Sequence, residues 1–283
     1  MFLIADSGST KTDWALVGVG GKVLRSVKTQ GINPFHQTES DIRMILHNEL
    51  AAALPEDDVE RVYFYGSGCR LELEPMMVRL LGEHFSHARQ IEAHGDLLGA
   101  ARALCGRGEG IACILGTGAN SCYYDGERIV ENTPPLGYIL GDEGSGAVLG
   151  RLFINALFKG GLPHELRDDF LNESGMTMAD IIARVYREPM ANRWLASTSL
   201  YIYKHMACPE LEQLVIDNFR EFFRRNIRPY GRQTLKVGAV GSIAYFFEKQ
   251  LSAAARMEGY EMGKVMRTPI DGLLLFHNSS TFC

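Results

Sequence analysis

One pattern occurs twice in this chain, and it does more than any other feature to limit the folds open to it. Phe2-Leu3-Ile4-Ala5 leads into the loop Asp6-Ser7-Gly8-Ser9-Thr10-Lys11-Thr12-Asp13, then Trp14-Ala15-Leu16-Val17, Gly20-Gly21 and Val23-Leu24. Ala112-Cys113-Ile114-Leu115 leads likewise into Gly116-Thr117-Gly118-Ala119-Asn120, then Cys122-Tyr123-Tyr124, Asp125-Gly126 and Ile129-Val130. Each copy reads as strand, glycine-hydroxyl loop, strand, tight turn, strand. Gly-Gly and Asp-Gly suit hairpin turns whose two central residues need positive φ. Gly8 and Gly116 are 108 residues apart, a domain-sized offset far longer than a solenoid repeat. The expected fold is a duplicated α/β domain, spanning 1–108 and 109–283.

The loops suggest a chemistry. A glycine turn lets backbone N–H groups approach an anion with no Cβ in the way, and Ser or Thr hydroxyls add donors. Glycine turns between strands are common on structural grounds alone, so the pairing carries the weight. The first loop is not a Walker A sequence, since Lys11 lacks the glycine before it and the earlier one that wraps a β-phosphate.

With 283 residues and 46% hydrophobic content, the chain can fill two cores. A net charge of −5 argues against nucleic acid or an anionic membrane as the main partner. Arg224, Arg225 and Arg228 end a predicted helix, where cations complement the dipole. The opening apolar run is too short for a signal-peptide core, and no run approaches the ~20 residues of a membrane span, so a cytoplasmic protein is expected. Six cysteines without a C-x-x-C pair fit a reducing compartment and suggest neither zinc nor an iron–sulfur cluster within one chain.

Other elements follow from periodicity. Val62–Tyr65 reads as a strand meeting Gly66-Ser67-Gly68, and Ile42 to Leu54 has helical spacing. Asp96 opens a helix with Leu97, Leu98, Ala101, Leu104 and Cys105 on one face, ended by Gly106 and Gly108. The run from Pro134 to Gly146 enters a helix through Phe158. Glu210 to Ile227 is a long amphipathic helix, stopped by Pro229, with Leu211, Leu214, Val215, Phe219, Phe222 and Phe223 inward. Leu235–Val240 is a strand feeding Gly241-Ser242, a glycine turn at a strand's carboxyl end, where open α/β sheets place ligands. Residues 160–209 carry helices and no interpretable motif.

The combination of D-S-G-S-T-K-T-D at 6 to 13, H-G-D-L-L-G-A at 94 to 100, I-L-G-T-G-A-N-S at 114 to 121, G-Y-I-L-G-D-E-G-S-G at 137 to 146 and V-G-A-V-G-S at 237 to 242 resembles the N-acetylglucosamine kinase and BadF/BadG/BcrA/BcrD ATPase family of the actin-like sugar-kinase superfamily. The resemblance implies two ribonuclease-H-like domains, each a mixed β-sheet with flanking helices, closing on ATP and a sugar in the cleft between them. The last helix, about 270–283, is expected to return to the first domain. By the same resemblance Gly8, Ser9, Thr10 and Lys11, with Gly116, Thr117 and Gly118, hold the ATP phosphates. Gly238, Gly241 and Ser242 border the adenosine, and Asp6 orients Mg2+ through water.

Asp96 is the expected general base, accepting the sugar hydroxyl's proton as the O–P bond forms. Its competing reading is a helix cap worth ~1 kcal/mol, and both roles are compatible. Asn33, Ser67, Asn120 and Asp142 are the expected sugar ligands. Against this, Asn33 also reads as a pre-proline turn residue, and Asp142 with Glu143 as dipole compensation in a first helical turn. The implied activity is ATP-dependent phosphorylation of N-acetylglucosamine or a close relative at carbon 6. Two alternatives stay open: an ATPase activating an iron–sulfur dehydratase or reductase, and a non-catalytic sugar sensor. A homodimer is the family expectation.

Overall fold

The computed structural model describes residues 1–8, 10–54 and 59–278; Ser9 and Cys283 lie outside the described residues. The elements are β1 (Phe2–Ser7), β2 (Lys11–Val17), β3 (Val23–Gln30), α1 (Glu39–Ile45), β4 (Arg61–Gly66), α2 (Glu74–His84), β5 (Gln90–Gly95), α3 (Asp96–Cys105), β6 (Gly110–Leu115), β7 (Ala119–Tyr124), β8 (Ile129–Glu131), α4 (Gly137–Leu140), α5 (Gly146–Phe158), α6 (His164–Ser174), α7 (Met178–Tyr186), α8 (Ala191–Ser197), α9 (Ser199–Lys204), α10 (Pro209–Phe222), β9 (Val237–Val240), α11 (Ser242–Phe246), α12 (Glu248–Met257), β10 (Met262–Met266) and α13 (Ile270–Asn278).

Two five-stranded mixed sheets result, ordered β3-β2-β1-β4-β5 and β8-β7-β6-β9-β10. Counted from β1 and β6 outward the connections are identical. In the first sheet β1 pairs antiparallel with β2 and parallel with β4, which pairs parallel with β5; in the second β6 does the same with β7 and β9, and β9 with β10. The central strands are continuous apolar runs because both of their faces are covered. Phe2, Leu3, Ile4 and Ala5 of β1 are buried, as are all four residues of β9. The edge strand β3 is mostly exposed.

The chain divides into two compact units: Met1–Gly108 with Gly126–Ile129 and the chain from Thr268 on, and Glu109–Asp125 with Val130–Arg267. In the second unit α10 buries Leu211, Val215, Phe219 and Phe222 along one stripe, each worth roughly 1.5–3 kcal/mol. In the first, α13 packs on α3 and β1.

Several local expectations change. Gly20 and Gly21 do adopt positive φ, 79° and 80°, but inside a 3-10 turn over Val19–Gly21 rather than a two-residue hairpin. The helix expected over 42–54 starts earlier, at a capping box formed by Thr38 and Asp41, and widens into a π-turn at Leu46–Leu50. The run entering Phe158 is two helices separated by the turn at 141–145. The long helix leaves α geometry at Phe223, with a π-turn over Phe223–Ile227, and Leu214 is only half-buried.

Candidate active site

In the first unit β1, β4 and β5 end together. The register aligns Asp6 with Tyr65 and Tyr65 with His94, then Ser7 with Gly66 and Gly66 with Gly95. Ser67 and Asp96 are the next residues of their strands. Asp96 is the first residue of α3, and Gly95, not Asp96, is the N-cap. Its carboxylate accepts its own N–H and that of Leu97, which favours ionisation, but burial outweighs both and pushes the pKa up to about 6. Asp6 is raised further, to about 7, by burial and then by the charges of Asp96 and Asp13, with Lys11 opposing. Asp13 faces Asp6 across the β1–β2 ladder.

Residues 8–10 join β1 to β2. Gly8 donates to the Lys11 carbonyl (3.0 Å), and Gly31 donates to that of Thr10 (3.1 Å). Beneath the loop the buried Ser7 and Thr12 hydroxyls meet at 2.6 Å, and Ser7 Oγ donates to the Ile32 carbonyl at 2.9 Å. Gly8 and Thr10 are exposed, while Lys11 Nζ lies 2.5 Å from Asp13. Asn33 is the turn residue its sequence suggested: Oδ1 accepts the Phe35 N–H at 3.1 Å, and its own N–H goes to Gln37. The same amide presses on Gly68, where any Cβ would collide with it, so Asn33 also stands beside the Ser67-Gly68 turn that ends β4.

In the second unit residues 116–118 join β6 to β7. Gly116 donates to the Gly118 carbonyl (3.0 Å), and the first N–H groups of α5 hold the loop from behind: Gly146 donates to Gly116 (2.8 Å) and Ala147 to Thr117 (3.1 Å). Gly241, at φ 123°, passes so close to the Leu115 carbonyl that only glycine fits, and it brings the start of α11 and Ser242 to this loop. Gly238 is buried inside β9, opposite Ala112.

Asp142 is not in a first helical turn, because Ser145 caps α5 and the helix begins at Gly146. It sits at φ 54° in the preceding turn, accepting N–H groups from Gly137 and Ala119. A Cβ on Gly118 would lie 3.0 Å from its Oδ2, which places this carboxyl against the loop. Burial raises its pKa to about 6. Glu143 points elsewhere, accepting from Asn226 at 3.2 Å. Asn120 Oδ1 accepts from Asn132 at 2.9 Å and from the Ser121 N–H.

Two features escaped the sequence reading. Asp13 has no role in the motif pattern, although counting ladder pairs back from the turn sets it opposite Asp6. The strand β5, which delivers Asp96, has only Ala93 fully buried and so lacks an alternating signal. Among the described residues no three His, Cys, Asp or Glu side chains group as a metal site. A divalent cation here would therefore take Asp6 with phosphate and water oxygens, as Mg2+ prefers. The raised Asp6, with Asp13 and Asp96 in range, is a site whose charge a cation would relieve.

No family model matches the chain, and no curated protein does. Among solved structures it is similar to a protein of Porphyromonas gingivalis provisionally named N-acetylglucosamine kinase, at 47% identity over 99% of this chain and 100% of that one, with a TM-score of 0.96. A provisionally named N-acetylglucosamine kinase of Chromobacterium violaceum is 19% identical over 98% and 99%, with a TM-score of 0.71. A ROK-family glucokinase of Streptomyces griseus, in complex with glucose and AMPPNP, is 15% identical over 100% and 98%, with a TM-score of 0.57. The last two share the fold.

Proposed function

Because this chain belongs to the N-acetylglucosamine kinase-like family of actin-like ATPases, we propose that it transfers the γ-phosphoryl group of ATP to an amino sugar, N-acetylglucosamine, forming the 6-phosphate. The observation that carries the proposal is Asp96, a half-buried carboxylate that follows the end of β5 and has a pKa near 6. It is ionised at neutral pH yet retains proton affinity. Held within reach of the acceptor, it takes the hydroxyl proton as the new O–P bond forms and the bond to ADP breaks.

Gly8, Thr10 and Lys11, together with Gly116, Thr117 and Gly118, would line the phosphates; the Gly8 and Gly116 N–H groups close their own turns, so the Thr10 and Thr117 hydroxyls and the Lys11 ammonium would be the donors on offer. Gly241 and Ser242 would border the adenosine. Gly238 would act only through its strand. Asn33, Ser67, Asn120 and Asp142 would read the sugar hydroxyls and amide. Mg2+ held by Asp6 would neutralise charge on the phosphates. Transfer also needs acceptor and phosphates brought together with water excluded, and slow ATP hydrolysis without sugar would report how well that is done.

A coupled ADP-release assay against a panel of hexosamines and hexoses tests the proposal. Robust turnover with N-acetylglucosamine is expected; no phosphorylation of any hexosamine or hexose would end it. The activating-ATPase alternative gains nothing from the thiols, since Cys113 and Cys122 are buried within β6 and β7.

A further inference from the structure

We propose that Tyr65 is a positioning residue for Asp96, and that His277 and Arg102 lock it, so that the C-terminal helix α13 sets the place of the catalytic carboxylate. The inference rests on the assignment of Asp96 as the base. Tyr65 lies on β4, fully buried, and its ring forms the seat of α3. At Gly99 a Cβ would come within 2.8 Å of the Tyr65 ring, so the helix backbone rests directly on it. One turn further on, Arg102 Nη1 donates to the Tyr65 hydroxyl at 2.7 Å. On the other side that hydroxyl meets His277 Nε2 at 2.8 Å.

Counting donors orients the network. A guanidinium can only donate, so the hydroxyl oxygen accepts from Arg102, and in the proposed network its single proton is directed at His277 Nε2. In that arrangement the imidazole is neutral and carries its proton on Nδ1. Burial and the neighbouring Arg102 agree, holding the His277 pKa down to about 3. His277 also stacks on Tyr63, with ring centroids 3.7 Å apart.

The rest of α13 is keyed to α3 as well. Gly272 sits where a Cβ would strike the Ala103 backbone, and Phe276 lies beneath the guanidinium groups of Arg102 and Arg107, 5.1 and 4.9 Å from its ring centre. Thus α3 is gripped at Gly99, Arg102 and Ala103, one to two turns from Asp96 at its first position. A helix moves as a rigid rod, so a slip at the grip displaces the carboxylate by a similar amount. Near 1 Å of misplacement costs on the order of 100-fold in rate.

The experiment compares Tyr65→Phe, His277→Leu and His277→Gln in the full chain. Tyr65→Phe and His277→Leu should lower kcat by roughly tenfold to a hundredfold while KM for sugar and ATP stays within about threefold. The double variant should be no slower than the worse single one, and His277→Gln, which restores an acceptor, should recover most of kcat. Hydrogen exchange at the amides of residues 97–100 should quicken in Tyr65→Phe and His277→Leu but not in His277→Gln. A Tyr65→Phe enzyme with normal kcat, or one whose loss merely tracks its unfolded fraction, overturns the proposal. If the unaltered protein phosphorylates no sugar, the role of Asp96 falls; the exchange data then decide the grip alone, and unchanged rates in every variant overturn it.

Discussion

The two glycine loops occupy the same station in two sheets of the same topology, yet what surrounds them differs. In the first unit the last paired residues before the loop are Ser7 and Thr12, with Asp6 facing Asp13 behind them. In the second they are Leu115 and Ala119, with Ile114 facing Asn120. The first loop thus stands over carboxylates: Asp6, with Asp96 and Asp13 close enough for their charges to raise its pKa. The second stands over apolar residues and an amide, is braced by the N-terminus of α5, and receives its carboxylate, Asp142, from outside the sheet. Under the proposed function, one frame would serve once for proton and cation chemistry and once for recognition of an anion. The shared strand order gives the two loops the same station, and the residues at a few strand ends make the difference.

The most severe way to break that contrast is Asp96→Asn. It should lower kcat by about 10²- to 10⁴-fold, while ATP affinity measured by calorimetry stays near that of the unaltered protein. A loss under tenfold would mean that the first unit is not where the proton goes. Next come the glycines of the second unit. Gly241→Ala forces a Cβ into the Leu115 carbonyl at a φ of 123° and should cost roughly 1–3 kcal/mol or more in urea unfolding. Gly116→Ala meets no atom within 4 Å and should leave stability nearly unchanged while weakening ATP binding. Equal destabilisation by the two would show that the Gly116 side of the loop is packed rather than open to a ligand.

A smaller effect concerns pH. Asp96 and Asp6 have folded-state pKa values of about 6 and 7, both above the ordinary carboxylate value. For carboxyls raised in this way the folded state binds more protons than the unfolded one, so their contribution to stability declines as pH rises through roughly 4 to 7. If Asp96 is the base, activity should run the opposite way, falling below about pH 6 as it is protonated. A melting temperature of the nucleotide-free protein that climbs steadily from pH 5 to 8, with Asp6→Asn climbing equally, would contradict the raised pKa values of Asp6 and Asp96. The smallest effect is on stability in Lys11→Ala, which removes an exposed ion pair to Asp13 worth about 0–1 kcal/mol. Unaltered ATP affinity in this variant would strike Lys11 from the phosphate contacts.

Much of the fold was legible because its signals are local. Apolar runs marked β1, β4, β6 and β9, glycines marked the turns that follow them, and helical spacing marked α3 and α10. Strands β5 and β10 were not legible, being half-buried edges with no clean alternation. Of the candidate site residues, Asp96 could be located at a helix start, but its cap is Gly95. The competing reading of Asp142, a first helical turn, fails because Ser145, rather than Asp142, begins the helix, and nothing in Gly-Asp-Glu-Gly-Ser announces it.

By itself the sequence determined the doubled strand-loop-strand plan, since side-chain alternation, the positive φ of glycine and the reach of a short turn are properties of a few consecutive residues. Only the tertiary structure decided the chemical character of the carboxyls and the grip on α3. The pKa of Asp96 depends on how much water the surrounding chain excludes, and the hydrogen bond from Tyr65 to His277 joins residues 212 positions apart. Desolvation and long-range contact are sums over the folded neighbourhood, and no local stretch of residues contains them.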